Sequence, residues 1–215
     1  MSNYGFKKEK IYEERQNYFR NWLAEWEFYN INSYNHEEEE IEGTGDSYEK
    51  IKEMIKCDDV YKADVYKGEI VLLSSSFSKQ ETPHYAIIAS EINKDGEVIL
   101  IPFSYFVNPA VSGEIKSKRE AINLEVMQVW NARIIHHSLL KEGAWHVDED
   151  INSAEEGLNV FKHITLGDEK INEELLKRTG PPVFVEDDPR LEYQQIASEL
   201  LKPLERRLEE FNENR

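Results

Sequence analysis

Cysteine is nearly missing from this chain: Cys57 stands alone among 215 residues. No disulfide closes within it, and a cysteine-based metal site is not expected. Long apolar runs are missing too. No stretch approaches the roughly 18 residues that a membrane span needs, and the opening "MSNYGFKKEKIYEERQ" has no apolar run resembling a secretory signal. Basic side chains are scarce, 26 Lys/Arg against 43 Asp/Glu, for a formal charge of −17. A chain this acidic repels phosphate backbones as a whole, which works against generic nucleic-acid binding. The motifs GxxxxGK[ST], GxGxxG, GxSxG and HExxH are all absent, which removes the nucleotide-binding and hydrolase signals that are read directly from sequence. The expectation is a reduced, cytoplasmic protein with no membrane partner, no metal and no small-molecule cofactor.

What is present is enough for a packed core: 40% hydrophobic residues, with aromatics at 11%. The length suits one substantial domain, or a small one with helical additions. Charge is unevenly spread. Residues 60–150 hold 9 Lys/Arg and 13 Asp/Glu, a net of −4, so the remaining −13 lies in the two flanks. An acidic shell thus surrounds a nearly balanced centre.

In the first flank, Tyr12, Phe19, Trp22, Trp26 and Tyr29 recur at spacings of 3, 4 and 7, predicting a helix over residues 7–30 with one aromatic stripe. That spacing is the one core packing demands. The run from His36 to Asp46 is an acidic, glycine-containing loop, read as a solvated charge run. Asp46 and Glu49 then form a capping box for a short helix ending near Lys56. From Val60 the pattern turns to β: "GEIVLL", "HYAIIASEI", "EVILIPFS" and "VMQVWNARII" are short, β-branched runs. "NKDG", residues 93–96, is a hairpin signal. Residues 105–123 form a longer polar connection. Several short strands with turn punctuation predict a small barrel or a highly curved sheet. After Asp150 the chain turns helical, with Ser153 and Glu156 as a capping box and Gly167 as a stop. A last helix over 188–214 carries Ile196, Leu200, Leu204, Leu208 and Phe211 on one face, and Pro203 must kink or divide it.

The densest stretch, residues 125–150, holds three His, two Trp and Arg133. Strand alternation sends His136 and His137 to opposite faces, which denies them a shared metal. His146 and Asp148, two apart, share a face, but that pair alone is a weak metal signal. Alternation also divides the fourth strand into a packing face, Trp130, Ala132 and Ile134, and a polar face, Asn131 and Arg133. Arg133 then has two readings: an ion pair with a carboxylate from the acidic flanks, or a cation aimed at a phosphate or a partner's carboxylate.

The run "KGEIVLLSSSFSKQETPHYAIIASEINKDGEVILIPFS" resembles the opening of PemK/MazF-like proteins. There a Gly-acidic strand is followed by a loop, a second strand of the "RPALVIS" type, and a strand ending in Pro and a small hydroxyl residue. Gly68-Glu69, "PHYAIIAS", and Pro102 with Ser104 fill those places, and residues 125–150 resemble the family's later strand with its Arg. The likeness spans residues 67–164. It implies an SH3-like barrel, and typical members are endoribonuclease toxins restrained by an acidic antitoxin. One departure falls where it matters: the Arg that opens the second strand is missing, with Pro83 and His84 in its place. The fold expected is therefore α+β, a small SH3-like β-barrel flanked by helices. It comprises an N-terminal helical extension over 1–59, the barrel with a trailing helix over 60–166, and a C-terminal helical extension over 167–215. The function expected is that of a non-catalytic, degenerate PemK/MazF-like protein that binds a protein partner or self-assembles. The alternative is an endoribonuclease on single-stranded RNA, with Arg133, Ser104 and His84 as its catalytic groups.

Overall fold

The computed structural model of the chain describes residues 17, 20–24, 26, 61–74, 76–78, 84–119, 124–167, 173–184 and 188–213. The acidic loop from His36, the helix capped by Asp46, and Tyr12, Phe19 and Tyr29 of the aromatic stripe lie outside the described residues.

The order of elements is β1 (Glu69–Leu73), β2 (His84–Ile88), β3 (Glu97–Pro102), β4 (Glu114–Lys116), β5 (Val126–Gln128), a 3₁₀ turn Val129–Asn131, β6 (Arg133–His136), α1 (His137–Gly143), β7 (Ala144–Glu149), α2 (Ile151–Leu166), α3 (Glu173–Lys177), α4 (Pro189–Leu200) and α5 (Lys202–Glu213). Upstream, residues 20–24 and 26 are helical. Five strands make one antiparallel sheet in the order β6-β3-β2-β1-β7, and β4 pairs with β5. Among the described residues the two sheets meet at the Phe103–Met127 bridge. The fold is mixed α+β as expected, but among the described residues no ladder joins β6 to β7, so the large sheet is open and not a closed barrel.

Both faces of the sheet are covered. On one, Val71, Leu73, Ala86, Ile88, Val98, Leu100 and Ile135 pack with Leu139 and Leu140 of α1, with Leu201, and with Leu204 of α5. On the other, Ile70, Ile87 and Ile101 pack with Met127 and with Ala154 and Val160 of α2. A strand buried on both sides has no polar face to show, and every residue of β1 is buried. This is why the first three strands read as continuous apolar runs instead of alternating ones.

Two glycines are required by backbone geometry. Gly68 has φ +94, and a Cβ there would press on the backbone of Ile151. Gly96, at φ +81, closes the β2–β3 turn. In that turn Asn93 Oδ1 accepts the N–H groups of Asp95 and Glu97, both at 2.9 Å, the Asx geometry that the "NKDG" signal implies. Gly68 leads into a buried carboxylate. Glu69 accepts the N–H groups of Asp64 (3.2 Å) and Val65 (2.7 Å) and pairs with His146 Nδ1 at 3.0 Å. Val65 is held at φ +66, a cost for a β-branched residue that these bonds offset.

Three local expectations change. The predicted fourth strand is broken by the 3₁₀ turn at Val129–Asn131, which resets the alternation downstream. Asn131 is fully buried while Ile134 is 54% exposed, so the assigned packing and polar faces do not hold. His136 ends β6 and caps α1, so strand alternation stops there. The His136 and His137 rings come together, centroids 4.6 Å apart, instead of pointing to opposite faces. Third, α2 starts at Ile151 with Asp150 as its cap, accepting from the Ser153 N–H at 3.0 Å and the Ser153 hydroxyl at 2.7 Å. Gly167 ends it at φ +70, as expected. Pro203 does divide the last helix. The break falls at Leu201, so Leu201 and Leu204 take the fully buried places while Ile196 is left exposed.

Candidate functional site

Ser104 follows β3, Glu114 opens β4 and Gln128 closes β5. All three are buried, and they converge on the hydroxyl of Tyr193, one turn into α4. Tyr193 donates to Glu114 Oε1. Gln128 Nε2 donates to the Tyr193 oxygen at 2.7 Å, and Ser104 Oγ lies 3.0 Å from it. Ser104 Oγ in turn accepts the Phe106 N–H at 3.1 Å. Glu114 is held independently of Tyr193: its Oε2 accepts the Ala110 N–H at 2.6 Å and its Oε1 the Trp130 indole N–H at 3.2 Å. Gln128 is steadied by Asn131 Nδ2, which donates to both Gln128 Oε1 and the Ala197 carbonyl at 3.3 Å.

Around this polar centre stands an aromatic sleeve. The Tyr193 ring meets Trp22 (5.4 Å between centroids), Phe106 (5.4 Å), Trp26 (6.0 Å) and Trp130 (6.5 Å), all near edge-to-face. Trp22 stacks on Trp26 at 5.7 Å. Edge-to-face rings of this kind contribute about 0.5–1.5 kcal/mol beyond the area they bury. Trp22 and Trp26 thus face inward. Trp22 and Trp26 of the first flank, the β-rich centre and helix α4 share one hydrophobic cluster.

Burial governs the titrations here. Glu114 is raised from 4.5 to about 6, first by desolvation, against the hydrogen bonds that favour its charged form. The Tyr193 hydroxyl is pushed well above its ordinary value by burial and by the Glu114 charge.

The three residues expected to act together do not all meet. His84 and Ser104 line one small cavity of about 30 Å³, whose walls also include Tyr193, Ile196, Ala197 and Leu200 of helix α4 and Trp26. Within it His84 is buried, with Nδ1 2.9 Å from the Ser78 hydroxyl and, among the described residues, no hydrogen-bond partner at Nε2. Arg133 is elsewhere. Its Nε and Nη2 donate to Glu205 Oε1 of α5 at 3.0 and 2.7 Å, its Nη1 reaches the carbonyls of Asn131 and Ala132, and Nη2 lies 3.5 Å from Ser198 Oγ. Of the two sequence readings of Arg133, the geometry realises the ion pair with a carboxylate of the acidic flank. His146 and Asp148 are likewise paired, with Glu69 and Arg119. Among the described residues no cluster of three or more His, Cys, Asp or Glu is placed to hold a metal ion.

Sequence reasoning reached Ser104 and missed Glu114, Gln128 and Tyr193. Glu114 sits in what reads as a polar connector, where a carboxylate is ordinarily solvated. Tyr193 carried one usable signal: with Arg190 and Ala197 it makes a 3–4 spacing on α4, and all three are buried.

His84 gives a pH dependence. Burial lowers it from 6.5 to about 4, so its contribution to stability is fully present above pH 6.5 and lost as pH falls through about 4. Linkage sets the total at about 3 kcal/mol. Glu114 runs the other way: with its value raised, its contribution is fully present below pH 4.5 and lost as pH rises through about 6, about 2 kcal/mol in all. Between pH 6.5 and 4.5, thermal melts of a His84→Leu variant should therefore lose much less stability than the native chain. Equal losses would show that His84 is not held neutral by burial.

Comparison with protein-family models, with curated proteins and with solved structures finds no match for this chain. No helix among the described residues is long and apolar enough to cross a membrane.

Proposed function

We propose that this chain is a non-catalytic, degenerate PemK/MazF-like protein that works in the cytoplasm through contact with a protein partner or through self-assembly. Its β-rich centre is read as an SH3-like barrel of which β1, β2, β3 and β6 are the main wall. Support comes from the β1–β2–β3 meander opened by Gly68-Glu69, from the return of β6 alongside β3, and from the β4–β5 pair attached by the Phe103–Met127 bridge.

One observation carries the functional half: the chain's own helices engage each of the three candidate groups, and Arg133 stands apart from the other two. Tyr193 of α4 engages the Ser104 hydroxyl, helix α4 walls the cavity of His84, and Glu205 of α5 pairs with Arg133. A 2′-hydroxyl and its phosphate would need all three groups together and open to solvent. The endoribonuclease alternative requires α4 and α5 to leave.

Surface for a partner exists beside α4. A cleft of about 580 Å³ runs between α2, the 176–183 segment and α4, and Val160, Ile164, Leu176 and Val183 lie along it. Phe184, 86% exposed, and Leu166, 65% exposed, add apolar area near it in sequence. Native mass spectrometry over a range of concentrations, joined to capture with tagged chain, tests the proposal. An assembly or a stoichiometric complex is expected, weakened by Phe184→Asp. A strict monomer that captures nothing overturns it.

A further inference from the structure

We propose that Ser104, Glu114 and Gln128 form a preformed socket for a phenolic hydroxyl, a tyrosine-recognition site that this chain fills with its own Tyr193. The inference rests on reading α4 as a cover laid on the β-rich centre, and it adds what that centre recognises.

The socket saturates a phenol. A phenolic hydroxyl has one proton to donate and two lone pairs to fill. Glu114 takes the proton, while Gln128 Nε2 and the Ser104 hydroxyl fill the lone pairs. None of the three groups depends on Tyr193 for its place. Glu114 is fixed by Ala110 and Trp130, Gln128 by Asn131, and Ser104 by the Phe106 N–H. All three belong to β-strands or to the residues beside them, the positions that hold a site most rigidly. Phe106 and Trp130, also of the β-rich centre, contribute two of the aromatic walls that a phenol ring packs against. A carboxylate in such a sleeve discriminates: a ring without the hydroxyl takes one hydrogen-bond partner from each of three buried polar groups. Helix α4 accordingly sits on the centre as a ligand-bearing segment, with Tyr193 as its anchor.

Emptying the socket in the intact 215-residue chain tests this. Tyr193→Ala removes a hydroxyphenyl group, and phenol restores the missing atoms. With phenol at about ten times its dissociation constant, the variant's melting temperature should rise by roughly 3–5 °C, saturably. Benzene should raise it far less. Equal effects of phenol and benzene, or no effect of either on a folded variant, overturn the proposal. Should Tyr193→Ala fail to fold even with phenol, Tyr193→Phe decides. It keeps the ring, and its unfolding constant should rise about tenfold or more through loss of the hydroxyl alone. An unchanged constant overturns the socket. Cleavage of RNA by the native chain would remove the reading of α4 as a permanent cover, yet phenol would still bind the emptied socket, so the two failures are distinguishable.

Discussion

Glu114→Leu is expected to lower the unfolding free energy by about 3–5 kcal/mol in urea titration. Three donors, the buried Tyr193 hydroxyl and Ala110 N–H and the half-buried Trp130 indole N–H, lose their acceptor at once. Each orphaned donor costs about 1–3 kcal/mol. Against that stands the cost of keeping a buried charge at neutral pH, about 2 kcal/mol from the upward shift of Glu114. Leucine is close in volume, so the loss does not come from a cavity. Glu114→Gln keeps one carbonyl oxygen and should lose clearly less. If leucine and glutamine behave alike, the carboxylate is not the hub of this network.

The second large effect is at the other end of the chain. Trp22→Ala should cost about 3–5 kcal/mol, the range for truncating a large aromatic in a packed core. Trp22 is fully buried, stacked on Trp26 and edge-on to Phe106 and Tyr193. Its loss opens the sleeve around Tyr193 and loosens the first flank and α4 together. A thermal melt that shows only a small early transition, with the main unfolding unchanged, would mean that the first flank is an appendage and not part of the core.

Arg133→Ala makes a smaller and more diagnostic change. The Arg133–Glu205 pair is partly exposed, 19% and 39%, so removing it should cost only about 1 kcal/mol. Glu205→Gln should cost about the same, and the double variant should lose less than the sum, because the two side chains form one interaction. Full additivity would deny the pair.

The strands of the sheet are legible because β1, β2 and β3 are covered on both faces and their sequences are dominated by Ile, Val, Leu and Ala. The turn at Asn93–Gly96 and the stop at Gly167 were legible because both need a left-handed backbone that glycine supplies. The broken strand was not. "VMQVWNARII" has the composition of one strand, and no glycine or proline announces that Val129–Asn131 will turn; the turn is closed by the Ala132 N–H on the Val129 carbonyl at 3.2 Å and tied down by a tertiary contact, the Trp130 N–H on the Gly113 carbonyl at 3.0 Å. The turn changes which side chains face inward, and Asn131 is buried. β4 escaped for a related reason. "EIK" is too short and too charged to read as a strand, and its edges are satisfied by distant partners, Arg178 and Thr179 among them. The site followed the same rule. Ser104 and His84 lie in or beside regular strands, where sequence alone points to them, whereas Glu114 and Tyr193, 79 residues apart, meet only in the folded chain. Arg133 was found by type and position, but its partner on α5 lies 72 residues away.

The most direct measurement is incubation of the folded native chain, at stoichiometric concentration, with a mixed pool of single-stranded RNA. With Tyr193 seated on Ser104, α4 over His84 and Glu205 on Arg133, the pool should stay intact, and Arg133→Ala should change stability alone. Cleavage by the native chain that disappears in Arg133→Ala or Ser104→Ala, with both variants folded, would contradict the account.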